Sequence, residues 1–250
     1  MKRMVTDVRA ALPALTLLLA LTLPWLWYCL LCFRANPAVP ADAAAEVAQS
    51  PKLIALTFDD GPRRSTTTAL LDGLAQRGVK ATFFLIGKQI ADNEDVVRRM
   101  DEEGHQIGIH TYDHVQLTGL SRADFDAQVD KTRQLLKQVL GHNDFLLRPP
   151  YGALDAGVRA MAGCPIILWS IDPEDWGDRD TAREVAHILE NARDGSIILL
   201  HDIYPESVQA ALQVVDELHR QGYLFVTIDQ LFAARGITLR PGEDYRSAYP

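Results

Sequence analysis

From residue 52 onward, short apolar runs alternate with longer segments in which apolar positions recur every three or four residues. The short runs are Leu53–Phe58, Ala81–Ile86, Gln106–Ile109, Phe145–Leu147, Pro165–Trp169, Ser196–Leu200 and Tyr223–Val226. Runs of this length between polar and turn residues read as buried strands. The periodic segments read as helices at Ser65–Arg77, Ile90–Glu103, Ser121–Leu140, Asp155–Met161, Thr181–Ala192, Ser207–Gln221 and Asp229–Ala234. Two of them carry end signals. Ser65 offers an N-cap hydroxyl to the first, and Gly78 follows its end. Ser121 and Asp124 have capping-box-like spacing, and Gly141 stops that helix. Strands alternating with helices predict a parallel sheet with helices outside. Seven such units in about 200 residues predict an α/β fold, a distorted, incomplete (β/α) TIM-like barrel with about seven strands.

The first fifty residues follow another pattern. Residues 1–9 hold Lys2, Arg3, Asp7 and Arg9, and residues 10–33 hold no charge at all. A helix needs ~20 apolar residues to cross a bilayer, and this run of 24 reaches that length in spite of Pro13 and Pro24. Trp25, Trp27 and Tyr28 sit toward its far end, as interfacial aromatics do. The basic start predicts a cytoplasmic N-terminus and a chain that continues outside the membrane. The competing reading is a cleaved signal peptide, with small residues at Ala41–Ala45 as a cleavage region, although such apolar cores usually run ~7–15 residues. Cys29 and Cys32 fall inside the run, as buried thiols or acylation sites. Residues 34–50 are rich in Ala and Pro and read as a linker. The expected organisation is thus 1–9 cytoplasmic, 10–33 anchor or signal, 34–50 linker, 51–235 one catalytic domain and 236–250 a C-terminal tail.

Charge and cysteine content narrow the classes. Acidic residues outnumber basic ones 33 to 25, for a net charge of −8, which argues against a nucleic-acid partner. Cys164 is the only cysteine beyond residue 32, so the domain has no internal disulfide, which is compatible with an extracytoplasmic site. Nothing in the pattern fixes an oligomeric state.

Polar residues gather where the predicted strands end. Asp59 and Asp60 follow the first strand, His110 and His114 the third, Arg148 the fourth, Asp172, Asp175 and Trp176 the fifth, and His201 the sixth. Barrel enzymes build their sites at those ends. Each placement alone has a bland reading: adjacent acids before Gly61-Pro62 as a turn, Arg148-Pro149-Pro150-Tyr151-Gly152 as a rigid connector, His201-Asp202 as a capping pair. Together they predict one site with the chemistry of metal-assisted hydrolysis. Two His four residues apart fall on one side of a helical turn, and two imidazoles plus one carboxylate leave a zinc ion open to water and substrate. Asp60 is the natural third ligand. Neighbouring side chains at a strand end diverge, which frees Asp59 to take a proton from the attacking water. The unperturbed pKa of a histidine lies near neutrality, which suits His201 to the part of a general acid.

The domain resembles the polysaccharide deacetylases, the NodB-homology domain of carbohydrate esterase family 4. Five segments carry the resemblance: Thr57-Phe58-Asp59-Asp60-Gly61, His110-Thr111-Tyr112-Asp113-His114, Arg148-Pro149-Pro150-Tyr151-Gly152, Asp172-Pro173-Glu174-Asp175-Trp176 and Leu199-Leu200-His201. It implies a distorted (β/α) barrel and a divalent metal, usually Zn2+, on Asp60, His110 and His114. It implies that Asp59 is the base, Arg148 its holder, His201 the acid that protonates the departing amine, and Asp175 or Asp172 the group that tunes His201. The Tyr151 backbone N–H would stabilise the oxyanion, and Trp176 and Leu199 would wall the acetyl pocket. Ile109 stands where the family often has Asn, an altered neighbour of the first metal His; no position of the metal set itself is missing. The implied activity is removal of N-acetyl groups from an acetylated glycan outside the cytoplasmic membrane: peptidoglycan, a chitin-like oligomer or an exopolysaccharide. Alternatives on the same residues are an O-acetyl esterase, a non-sugar amidase and a non-catalytic, membrane-tethered glycan-binding protein.

Overall fold

β1 (Lys52–Asp59) is buried from Ile54 to its last residue, with no polar face. Such a strand must be covered on both sides, as strands of parallel sheets are. In the computed structural model, which describes residues 51–250, it lies between β2 (Thr82–Leu85) and β6 (Ile197–His201), parallel to both. From β2 the sheet continues through β3 (Gln106–Ile109), β4 (Leu146–Leu147) and β5 (Ile166–Ile167) to β8 (Asp244–Tyr245), while β7 (Tyr223–Phe225) pairs with the start of β1. Every named pair is parallel. The expectations for residues 1–9, 10–33 and 34–50 lie outside the described residues. Among the described residues no helix is long and apolar enough to cross a membrane.

The sheet curls but closes only loosely. Past β5 the chain reaches β6 through a single parallel bridge, Ile171 to Ile198, in which Leu199 N–H donates to the Ile171 carbonyl at 2.9 Å. This is the incomplete barrel expected from the sequence. Alternation along the strands divides its contacts. Ile54, Leu56, Phe58, Phe83, Leu85, Ile198 and Leu200 share the large core, which also takes the buried residues of the long helices. Ala55, Phe84 and Ile197 share a smaller one with Ile228, Leu231 and Phe232, from the helix that follows β7, and with Ala248.

The helices follow the expected order with shifted ends. They are α1 (Arg64–Gln76), α2 (Gly87–Ile90), α3 (Glu94–Glu102), α4 (Arg122–Leu140), α5 (Ala156–Met161), α6 (Thr181–Asn191), α7 (Pro205–Arg220) and α8 (Ile228–Ala234). The single helix expected over 90–103 is two helices joined by a 3-10 turn at Ala91–Asn93. Ser65 does not cap α1: the N-cap is Arg63, with no side-chain cap, and Ser65 sits inside the first turn. The Arg63 N–H donates instead to the Thr67 hydroxyl. Ser121 caps α4 as expected, and Gly141 ends it at φ 83°. The stretch 236–250, with no expected role beyond packing, supplies β8 and docks against residues 195 and 196. There Ala248 N–H donates to the Gly195 carbonyl at 2.8 Å.

Gly195 adopts φ +91°, and a Cβ there would overlap the Ala248 carbonyl. Gly195→Ala is expected to destabilise the domain by about 2 kcal/mol or more, since left-handed backbone and steric overlap both penalise it. Urea unfolding of the variant beside the parent reads this directly.

Candidate active site

Arg148 is fully buried just beyond β4, the bulkiest side chain in the interior. A guanidinium sealed from water must fill its donors. Its Nη1 donates to Asp59 Oδ1 and to Thr57 Oγ1, both at 2.8 Å; Nε reaches the Ile167 carbonyl at 3.1 Å and Nη2 the Leu168 carbonyl at 3.0 Å. Its Cζ lies 4.1 Å from the Phe84 ring centre. Asp59, 3% exposed, ends β1 and faces this cation. The next residue, Asp60, turns at φ 72°, and both acids line the same cleft.

His110 follows β3, its N–H bonded to the Leu85 carbonyl at 2.9 Å. Its Nδ1 lies 2.7 Å from the Arg148 carbonyl. A carbonyl only accepts, so Nδ1 carries the proton and Nε2 keeps a free lone pair. That Nε2 lies 3.5 Å from Asp60 Oδ1 and 3.7 Å from Asp59 Oδ2, while His114 Nε2 is 3.3 Å from the same Asp60 oxygen. Burial lowers the affinity of His114 for a proton, against the pull of Asp60, and so favours its neutral, ligating form.

The pair is not on a helical turn, as the four-residue spacing suggested. Residues 110–117 form an irregular loop in which Thr111 and His114 sit at φ 64° and 61°. Left-handed backbone costs roughly 1–2 kcal/mol per L-residue, so neighbours must hold the loop. Gln128 of α4 accepts the N–H groups of Tyr112 and Asp113 at 3.1 and 2.9 Å. Gly87 and Lys88 N–H donate to the carbonyls of Thr111 and Tyr112.

Asp60, His110 and His114 offer ligand atoms all within 4.8 Å of one another. Asp60 Oδ1 is buried with no hydrogen-bond partner among the described residues, although it faces both imidazoles. An orphaned carboxylate oxygen opposite two imidazole lone pairs is a donor set that fits a divalent cation of zinc type.

His201 ends β6, in register with Asp59 on the neighbouring strand β1, and lines the same cleft. Its Nδ1 and its backbone N–H each lie 2.8 Å from one of the two Asp175 oxygens. Burial works against charge on His201, but Asp175, with Asp59 and Asp60 further off, outweighs it and pushes the pKa up to about 9. The sequence left the choice between Asp175 and Asp172 open; the geometry pairs His201 with Asp175. Asp172 lines the cleft, and its carboxylate accepts the Glu174 N–H at 2.9 Å.

The cleft encloses about 410 Å³. Its walls include Tyr151, Trp176 and Leu199, named from the sequence, and also Trp169, which was not. Tyr151 and Trp176 stand at its mouth, 70% and 54% exposed. Tyr151, at φ 63°, packs edge-on against His114 with ring centres 4.9 Å apart. A larger hollow of about 510 Å³ beside Cys164, near the starts of β4 and β5, contains none of these residues. The structure therefore gathers all the candidate residues around one cleft, save Arg148 and Asp175, which lie buried behind Asp59 and His201. Gln128, Thr57 and Asp202 were not assigned roles. Buried Asp202 accepts from the Thr67 hydroxyl, and a Cβ on Gly61 would overlap its carboxylate, so Asp202 packs under the turn that carries Asp60. Gln128 lies outside every motif, and Thr57 and Asp202, though in or beside one, act through contacts that only the fold brings together.

Comparison with known proteins fits this arrangement. The profile of the family described as Polysaccharide deacetylase matches residues 46–163. A solved structure described as T48 deacetylase with substrate is 43% identical, with a TM-score of 0.75, over 78% of this chain and 96% of that one. The chain belongs to the polysaccharide deacetylase family. Among curated polysaccharide deacetylases, the peptidoglycan-N-acetylglucosamine deacetylase PgdA of Listeria monocytogenes is 42% identical over 79% of this chain and 42% of its own length. A peptidoglycan-N-acetylglucosamine deacetylase of Bacillus cereus is 36% identical over 74% of this chain and 91% of its own. The chain spans about two-fifths of the length of the first curated relatives it matches. A family 4 acetyl xylan esterase of Clostridium thermocellum, solved with a cobalt ion, is 30% identical with a TM-score of 0.75, over 78% of this chain and 98% of that one.

Removing one member of a buried ion pair strands the other, at a cost of roughly 3–5 kcal/mol. Arg148→Met is expected to destabilise the domain on that scale, and Asp59→Asn combined with it to recover part of the loss. A double-mutant cycle by chemical denaturation measures both.

Proposed function

We propose that the domain hydrolyses the N-acetyl groups of an extracytoplasmic glycan, releasing acetate and leaving a free amine on the sugar. The observation that carries this reading is that one cleft holds an acceptor, Asp59 held by Arg148, and a donor, His201 held by Asp175, together with the Asp60–His110–His114 set. Amide hydrolysis needs a base for the water and an acid for the leaving nitrogen.

Asp60, His110 and His114 would hold a divalent metal, zinc in our reading, which when bound supplies Lewis acidity to the water and to the acetyl carbonyl. Asp59 accepts the proton of the attacking water. Arg148 fixes the Asp59 carboxylate through its 2.8 Å contact and supplies the countercharge in a buried setting. The oxygen adds to the carbonyl carbon, and the backbone N–H of Tyr151 donates to the developing oxyanion. His201, kept protonated by Asp175, passes its proton to the nitrogen as the C–N bond breaks, so that acetate and amine part. Trp176, Leu199 and Trp169 give the acetyl methyl an apolar wall. Asp172 adds negative charge beside His201. The exposed rings of Tyr151 and Trp176 suit the apolar faces of sugar rings.

For substrate we favour N-acetylglucosamine-containing peptidoglycan, on the support of the named relatives. Residues 10–33 would anchor the chain in the cytoplasmic membrane, with residues 34–50 as linker and the domain from residue 51 outside; cleavage of that segment would release it. The likeness to an acetyl xylan esterase supports a second reading, hydrolysis of O-acetyl groups by the same residues.

Acetate release by the metal-loaded protein from peptidoglycan, N-acetylglucosamine oligomers and acetylated xylan separates the readings. His201→Ala is expected to lower amide hydrolysis by about 10²–10⁴-fold and to spare ester hydrolysis, whose leaving group needs less protonation. Acetate from xylan alone, with His201→Ala nearly as active as the parent, would replace the N-deacetylase reading with the esterase one.

A further inference from the structure

Glu184 has no part in this chemistry, yet it is the least satisfied acid of the domain. It lies in the first turn of α6 and is fully buried. Neither carboxylate oxygen has a hydrogen-bond partner among the described residues. Natural interiors seldom leave a carboxyl so exposed to the cost of desolvation without a use for it.

Its neighbour Arg183 shows where this turn is docked. The Arg183 guanidinium donates to the carbonyls of Pro173 at 2.6 Å and Glu174 at 3.3 Å, and to the Asp178 carboxylate at 2.6 Å. The first turn of α6 is therefore tied to the very loop that carries Asp175. Asp175 is itself fully buried, and its ion-pair partner is His201. Both Asp175 oxygens are spent on that residue.

Burial weighs most on Glu184, and Asp175 is the charge that weighs next; together they push its pKa up to about 7. Asp178 and Asp180 add to this from the loop and the helix cap, and Arg183 opposes it. From α7, packed against α6, the first turn brings Glu206, whose backbone carbonyl accepts from Thr181, and Ser207, whose buried hydroxyl has no partner. From β6 comes His201, whose Nδ1 lies 2.8 Å from Asp175 Oδ1. Two buried carboxyls that sense each other do not ionise together.

We propose that Glu184 is a positioning residue of the active site: a buried, unpartnered carboxyl, held neutral, in the helix turn docked on the Asp175 loop, whose neutrality leaves Asp175 the single negative charge paired with His201. Losing that proton adds a second negative charge in that docked turn. His201 then holds its own proton more tightly and yields it more slowly to the leaving amine. The kinetic half of this proposal rests on the role given to His201 above; the protonation half does not.

The test is a 13C NMR titration of the glutamate side-chain carboxyls in the full-length, metal-loaded protein, beside kcat against pH for the parent and Glu184→Gln. One glutamate resonance is expected to titrate near pH 7 and to be missing from the Gln variant. The parent's kcat profile is expected to break near that pH, and the Gln variant, neutral throughout, to lack the break while keeping the parent's kcat below it. The folded value lies above the ordinary 4.5, so the parent loses stability relative to Glu184→Gln as pH rises from about 4.5 to about 7, then levels off. If the Gln variant does not fold, Glu184→Met serves to assign the resonance. A Glu184 carboxyl that titrates with the other glutamates overturns the proposal, as does a break in kcat that survives in Glu184→Gln. Absence of deacetylation altogether would fall on the functional reading, and the titration would still decide the protonation of Glu184.

Discussion

The guanidinium of Arg148 against the carboxylate of Asp59 is the contact on which the rest of the site depends. Both groups are out of water, and neither is tolerable there without the other. Arg148 goes further than neutralising one acid. Its remaining donors reach Thr57 on β1 and two carbonyls at and just beyond the end of β5, and its own carbonyl takes the proton of His110. One residue thereby ties the ends of β1, β3 and β5 to β4 and fixes which nitrogen of His110 is free. The barrel needs such a tie because β4 and β5 are only two residues long, and two-residue strands do little to set their own positions.

Around that centre the chain accepts strain. Of the six non-glycine residues with positive φ among the described residues, Asp60, Thr111, His114, Tyr151 and Glu174 lie in the segments that bring carboxylate, imidazole and aromatic groups to the cleft. Thr111 is the costliest, being β-branched. Strain of this kind persists where surroundings over-determine it, and here Gln128, Gly87 and Lys88 grip the histidine loop by its backbone. The loop that holds His201 is strained too, with Glu174 at φ 55°, and the Ile171 bridge to β6 carries it, with Asp175, to His201.

The parallel sheet and the gathering of polar groups at strand ends were legible because both follow from period and position alone. Alternating strands and helices force a parallel sheet, and a parallel sheet sends all its strand ends one way. What was not legible depends on contacts distant in sequence. The four-residue spacing of His110 and His114 pointed to a helical turn, but two left-handed residues and a glutamine from α4 make a loop that joins them instead. Ser65 had the right chemistry for a cap, but the Thr67 N–H donates to the Arg63 carbonyl and the Arg63 N–H to the Thr67 hydroxyl, which sets the helix start earlier. β8 is too short and too polar to show a pattern, and exists because β5 offers it an edge. Glu184 looks like any acid in a first helical turn until the fold buries it.

The central claim is that these residues break an amide and leave an amine. The most direct measurement is mass spectrometry of an N-acetylglucosamine oligomer incubated with the metal-loaded protein, with acetate and new free amine counted together. The account predicts one amine for each acetate, and neither with Asp59→Asn. An intact oligomer in the presence of a bound metal, or equal turnover by Asp59→Asn, would contradict it.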